Sequence, residues 1–182
     1  VMSCCLSYVL AQSGKKTILI DCDLRRAGIS RLLDMREYDH GLIEYLDGKT
    51  EINFDNLSDE RIFCVLPLRP SDEQPGRLLT GDAVVRLLDE LRTRFDHIVL
   101  DLPPVLPIAS TPILASRADA TVMTTRWRKT SRFALRAALK RLPPDQVNLV
   151  GLTLNQVDMR RRAYFERGDP SFYYKQYRDY YS

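Results

Sequence analysis

The sequence predicts an α/β fold built on a mostly parallel sheet with helices on both faces. Three observations carry that expectation. Short apolar runs alternate along the chain with longer segments of helical spacing. The runs are continuously apolar rather than alternating, which marks strands covered on both sides. Three of the runs also close on a polar residue, Asp21, Asp101 or Asn155. Ligands of open parallel sheets bind beyond the carboxyl ends of the strands, so these three residues stand where a site is expected.

Each element follows from local pattern. Residues 1–13 carry Met2, Cys5, Leu6, Val9 and Leu10 at helical spacing, and Gly14 provides the stop. Residues 17–20 form an apolar strand that ends at Asp21, and 28–33 and 41–46 read as short helices, the second closed by Asp47-Gly48. Residues 62–66 are a second strand, followed by a loop with Pro67, Pro70 and Pro75. From 82 to 95, Val84, Leu87, Leu88, Leu91 and Phe95 mark one helix face, and 98–100 is a third strand leading to Asp101. A helix over 113–118, a strand over 120–125, a helix over 131–142 and a last strand over 149–154 complete the pattern. Residues 1–158 are expected to form one domain, and 159–182 an irregular, flexible tail after Asp158.

Composition narrows the class. With 182 residues, 45% hydrophobic and 28% charged, the chain can bury a sizeable core. The net charge of +3 does not by itself argue for nucleic acid, and no nucleic-acid partner is expected. Seven basic residues and no acidic one lie between Arg126 and Arg141, in the spacing of an amphipathic helix with a solvated face. Arg160, Arg161 and Arg162 are the better candidates for a membrane or partner contact. Cys4, Cys5, Cys22 and Cys64 lack metal-ligand spacing and read as reduced thiols of a cytoplasmic protein. No apolar run is long enough to span a bilayer, and no signal peptide is evident.

Two motifs carry chemistry. Asp21 and Asp23 leave the first strand together, followed by Arg25 and Arg26. Paired carboxylates can organise a Mg²⁺ water shell and a hydroxyl nucleophile, and a guanidinium can cradle phosphate. The plain alternative is a turn in which these charges pair with one another. In the second motif an apolar strand delivers Asp101, with Pro103 and Pro104 behind it. Such an aspartate can hold Mg²⁺ directly or through water, or it can simply cap a helix. His40 and His97 read as structural. Trp127, beside a strand end, fits either a pocket wall or core packing.

The end of the chain is unusual. Six of the nine tyrosines, Tyr164, Tyr173, Tyr174, Tyr177, Tyr180 and Tyr181, fall in the last nineteen residues, with no helical or strand period. Accessible phenols interleaved with Arg and Lys read as phosphate acceptors; the competing reading is an aromatic docking tail.

Together these residues resemble the bacterial tyrosine kinases that govern capsule and exopolysaccharide export. Apolar residues followed by Asp21-x-Asp23-x-Arg25 are similar to that family's Walker A′ motif, Asp101-x-x-Pro104 to its Walker B motif, and the tyrosine tail to its third hallmark. The likeness extends through Gly41-Leu42, Leu78-Leu79 and the stretch from Leu154 to Asp158. It implies a P-loop NTPase-like fold and a kinase that uses ATP and Mg²⁺. Asp21, Asp23 and Arg25 would be catalytic, Asp21, Asp23 and Asp101 would bind the metal, and Asn155 would read adenine. Tyr173, Tyr174, Tyr177, Tyr180 and Tyr181 would accept phosphate in trans within a homo-oligomeric ring. It further implies a transmembrane polysaccharide co-polymerase segment, fused or separate, a cognate tyrosine phosphatase, and a place on the cytoplasmic face of the inner membrane.

The sequence departs from the family pattern in two places. No Gly-x-x-x-x-Gly-Lys-Ser/Thr loop is present, while residues 1–13 look like the helix that follows one. The chain therefore reads as a kinase domain lacking its first strand and Walker A loop, with weak or no ATP binding alone; a degenerate pseudokinase is the other reading. The family often carries an aspartate shortly after its Walker B motif, where this chain has Ile108-Ala109-Ser110-Thr111. Two rival functions share the fold: a switch ATPase of the partitioning type, and an inactive oligomerisation module.

Overall fold

The computed structural model describes residues 1–35, 41–52, 63–68 and 79–158. Two compact units divide the chain, Val1–Ala118 and Asp119–Ser182.

The first unit contains α1 (Met2–Gln12), β1 (Thr17–Asp21), α2 (Gly28–Leu32), α3 (Leu42–Leu46), β2 (Phe63–Leu66), α4 (Asp82–Arg92), β3 (His97–Asp101) and α5 (Ser110–Ala115). β1 is central, flanked by β2 and β3, and all pairings are parallel. Its central position explains why Ile18, Leu19 and Ile20 are at most 1% exposed. The register sets Thr17 opposite His97 and carries through to Asp21 opposite Asp101, so the two carboxylates leave the sheet side by side.

α1 forms as expected, and Gly14 takes the left-handed conformation (φ +81°) that ends it. The buried face differs from expectation. Met2, Leu6 and Val9 are exposed, whereas Ser7 and Ala11 are buried. Small side chains let the helix backbone approach β1 and β3 closely, and this outweighs the apolar stripe.

α4 buries Val84, Leu87, Leu88 and Leu91, with Phe95 just beyond, as the spacing predicts. Leu87→Ala should lower unfolding stability by about 2–5 kcal/mol through the cavity it leaves. Phe133, in the second unit, is 83% exposed, and its replacement by Ala should change stability by no more than about 0.5 kcal/mol. Urea denaturation of the two variants checks the contrast.

α5 begins at Ser110, three residues before the expected start. Pro112 therefore falls in the first turn, where its missing N–H has no helical partner to lose. The buried Thr111 hydroxyl donates to the Pro103 carbonyl at 3.2 Å and pins the loop after β3.

The second unit contains β4 (Thr121–Arg126), α6 (Arg132–Arg141) and β5 (Leu149–Asn155), with β4 and β5 parallel. Hydrogen-bonded ladders among the described residues thus come in two sets, of three and two strands. Burial in β4 and β5 alternates, unlike the continuous burial expected of every strand: Val122, Val150, Leu152 and Leu154 are exposed while Met123 is buried. Ser131 caps α6 by accepting from the Ala134 N–H at 3.1 Å. Arg128, Arg132, Arg136 and Lys140 are exposed, in keeping with a solvated basic face.

Candidate active site

The site begins where β1 ends. Asp21 is fully buried, and its carboxylate is surrounded by donors. Oδ2 accepts from the Ile29 N–H at 3.1 Å, the Ser30 N–H at 3.0 Å and the Ser30 hydroxyl at 3.0 Å; Oδ1 accepts from the Asp23 N–H at 3.2 Å. The residue preceding α2, Ala27, offers no capping side chain and has φ +42°. Asp21 therefore caps α2 from outside the helix, satisfying first-turn N–H groups that would otherwise be buried without acceptors. Ser30, 1% exposed, also accepts from the Leu68 N–H at 2.7 Å, which ties the end of β2 to the same carboxylate.

Asp23 is half-buried two residues further on. Its Oδ1 accepts from the Arg25 and Arg26 N–H groups, each at 3.2 Å, and its carbonyl accepts from Ala27 at 2.8 Å. These bonds shape a tight turn that presents both arginine side chains to solvent. Among the described residues neither arginine pairs with Asp21 or Asp23, so the charge-paired turn is not the arrangement adopted.

Asp101 closes the constellation from β3. Its Oδ1 accepts from the Ser3 hydroxyl at 2.7 Å, and its carbonyl accepts from the Cys22 N–H at 3.0 Å, which extends the β1–β3 ladder. Burial pushes the Asp101 carboxyl above the usual carboxylate range; the Ser3 hydrogen bond opposes this, and the charge of Asp21 adds to it. The thiols nearby are held protonated: burial raises Cys4, and burial with the Asp21 charge raises Cys22 much further. Sequence reasoning missed Ser3 and Ser30. A signal for Ser3 was its place with Ser7 and Ala11 on the small-residue face of α1; nothing local singled out Ser30.

Among the described residues no three carboxylate, thiol or imidazole groups form a metal cage. Like charges on neighbouring strands, the buried Asp21 and the half-buried Asp101, are a place where a divalent cation would be stabilising.

Asn155 lies in the second unit. Its Oδ1 accepts from the Gln156 N–H at 2.7 Å and its carbonyl from the Trp127 N–H at 2.9 Å. Trp127 is half-buried, with the Arg128 guanidinium 5.5 Å from its ring centroid. Tyr164, Tyr173, Tyr174, Tyr177, Tyr180 and Tyr181, Arg160 to Arg162, and His40 lie outside the described residues. No helix among the described residues is long and apolar enough to cross a membrane.

No protein-family model matches the sequence. Curated proteins do. The tyrosine-protein kinase Etk of Escherichia coli K12 is 31% identical over 160 residues, covering 87% of this chain and 22% of Etk. The succinoglycan biosynthesis transport protein ExoP of Rhizobium meliloti is 28% identical over 171 residues, covering 92% of this chain and 22% of ExoP. Among solved structures, the kinase domain of VpsO superposes with a TM-score of 0.75 at 28% identity, covering 86% of this chain and 77% of that domain. The chain is similar to bacterial tyrosine kinases. It spans about a fifth of the length of the curated relatives it matches. Its fold is that of their P-loop NTPase-like kinase domains. Asp21, which opens the Asp-x-Asp-x-Arg stretch, and Asp101 sit at the ends of two adjacent, hydrogen-bonded strands.

Proposed function

We propose that the chain is the catalytic region of an ATP-dependent protein-tyrosine kinase that phosphorylates its own tyrosine-rich end. Through that modification it regulates polymerisation and export of capsule or exopolysaccharide. The observation that carries this reading is the register pairing of Asp21 with Asp101, which sets two carboxylates together at the end of the central sheet. Similarity to ExoP, a succinoglycan biosynthesis transport protein, supports the polysaccharide role, and similarity to Etk supports the kinase role.

Mg²⁺–ATP would supply the phosphoryl group and neutralise the charge that develops on it during transfer. Asp101 would hold the metal's water shell from β3. Asp21, already fixed by four donors, would set the A′ turn and supply negative charge that favours a bound cation. Asp23 Oδ1 is held by backbone N–H groups, and Oδ2 carries no hydrogen bond among the described residues. That oxygen is the candidate to accept the proton of an incoming tyrosine hydroxyl. Arg25, exposed on the same turn, would meet phosphate.

The acceptors would be Tyr173, Tyr174, Tyr177, Tyr180 and Tyr181 of a neighbouring subunit in a homo-oligomeric ring. Accumulating phosphates would loosen that ring by like-charge repulsion, and a cognate tyrosine phosphatase would reset it. A transmembrane co-polymerase segment, fused or separate, would hold the ring at the cytoplasmic face of the inner membrane.

Mass spectrometry of the full-length protein after incubation with ATP and Mg²⁺ tests the proposal. Phosphate should appear on tyrosines within 173–181. Bound nucleotide with an unmodified tail would instead favour a switch ATPase, and intact assembly without ATP affinity would favour a scaffold.

A further inference from the structure

We propose that Ser3 is a positioning residue for phosphoryl transfer: its hydroxyl on α1 holds the Asp101 carboxylate in the orientation that receives the metal. The inference rests on the kinase reading above, with Asp101 serving Mg²⁺. The geometry is specific. Ser3 donates to Oδ1 at 2.7 Å across 98 residues of sequence, joining the first turn of α1 to the end of β3. Asp101 Oδ2 has no hydrogen bond to another described side chain, so the Ser3 bond fixes one oxygen and leaves the other available. A terminal carboxylate torsion is broad when nothing holds it. Here Asp101 is also pressed by the like charge of Asp21 beside it. The Ser3 bond opposes rotation of the group away from that charge.

Ser3 differs in kind from Ser30. Ser30 is buried and serves the Leu68 N–H as well as Asp21, so it binds the fold together. Ser3 is half-buried and its hydroxyl serves Asp101 alone, so removing it leaves no backbone group unsatisfied. Alanine is also the better helix former, and α1 should persist without the hydroxyl.

The test compares Ser3→Ala, Ser3→Thr and Asp101→Asn in the full-length protein, titrating MgCl₂ at fixed ATP and following tail phosphorylation. Outer-shell partners of metal ligands typically govern metal affinity by 10–100-fold, so Ser3→Ala should raise the Mg²⁺ concentration for half-maximal activity by about tenfold. The KM for ATP at saturating Mg²⁺ should move less than about twofold, the melting temperature should hold, and Ser3→Thr should restore the wild-type Mg²⁺ requirement. An unchanged Mg²⁺ requirement in Ser3→Ala, or a Ser3→Thr variant as impaired as Ser3→Ala, would overturn the assignment. Full activity in Asp101→Asn would overturn the kinase reading itself, which keeps the two failures distinguishable.

Discussion

Asp101→Asn in the full-length protein should cut tail phosphorylation by on the order of 10²–10³-fold, the size of effect seen when one preorganised electrostatic group is removed from a reaction site. It should do so without weakening the fold. Burial, and then the Asp21 charge, hold the native Asp101 carboxyl above its ordinary value, while the Ser3 bond only partly offsets them. The native state therefore binds the Asp101 proton more tightly than the unfolded chain does. Stability falls as pH rises from the ordinary carboxylate value through the raised native one. At neutral pH, without metal, the ionised group is a net cost that asparagine removes, while the amide oxygen can still accept from Ser3. The melting temperature at pH 7 should hold or rise, by about 2–4 °C for each kcal/mol recovered in a chain of this size. The gain over wild type should shrink as the pH is lowered. Thermal scans at pH 7 and pH 4, beside the phosphorylation assay, decide it; a variant that melts lower at pH 7 would contradict it.

Asp21→Asn should behave in the opposite way. Two effects compete at this position. Removing the charge relieves repulsion with Asp101. It also replaces one of two oxygens, Oδ2 accepting from three donors and Oδ1 from one, with an NH₂ group that can only donate. The second effect wins, because Asp21 is fully buried and the amide must turn its NH₂ either toward the Asp23 N–H or toward the Ile29 and Ser30 donors. Each buried donor left unsatisfied costs about 1–3 kcal/mol, so the expected loss is about 3 kcal/mol, or roughly 6–12 °C in melting temperature. Phosphorylation should fall as well, but together with stability. Circular dichroism melts of the two asparagine variants side by side check the separation; equal melting temperatures would show that Asp21 does not cap α2.

The contrast between these aspartates marks how far the sequence could be read. Both were found because each ends a continuously apolar strand, and such a strand in a parallel sheet delivers its last residue to the ligand-binding edge. The register that sets Asp21 beside Asp101 was not written locally, since pairing depends on β1 lying between β2 and β3. The different duties of the two carboxylates were also hidden. Asp21 caps a helix that starts seven residues later, and Asp101 takes its hydrogen bond from a serine 98 residues away. α1 was legible as a helix from its periodicity, but its buried face was not, because close backbone approach favoured Ser7 and Ala11 over Met2, Leu6 and Val9. α4 held no such conflict, and there the apolar spacing named the core residues directly. In β4 and β5 continuous apolar character was a poor guide to burial, and alternate residues face solvent.

Electron paramagnetic resonance of Mn²⁺–ATP with the full-length protein puts the shared-metal arrangement to the most direct trial. The wild type should hold Mn²⁺ in the presence of ATP, and Asp101→Asn should weaken that binding by about tenfold or more. Equal Mn²⁺–ATP affinity in the two proteins would mean that the carboxylates at the ends of β1 and β3 do not serve a nucleotide-bound metal.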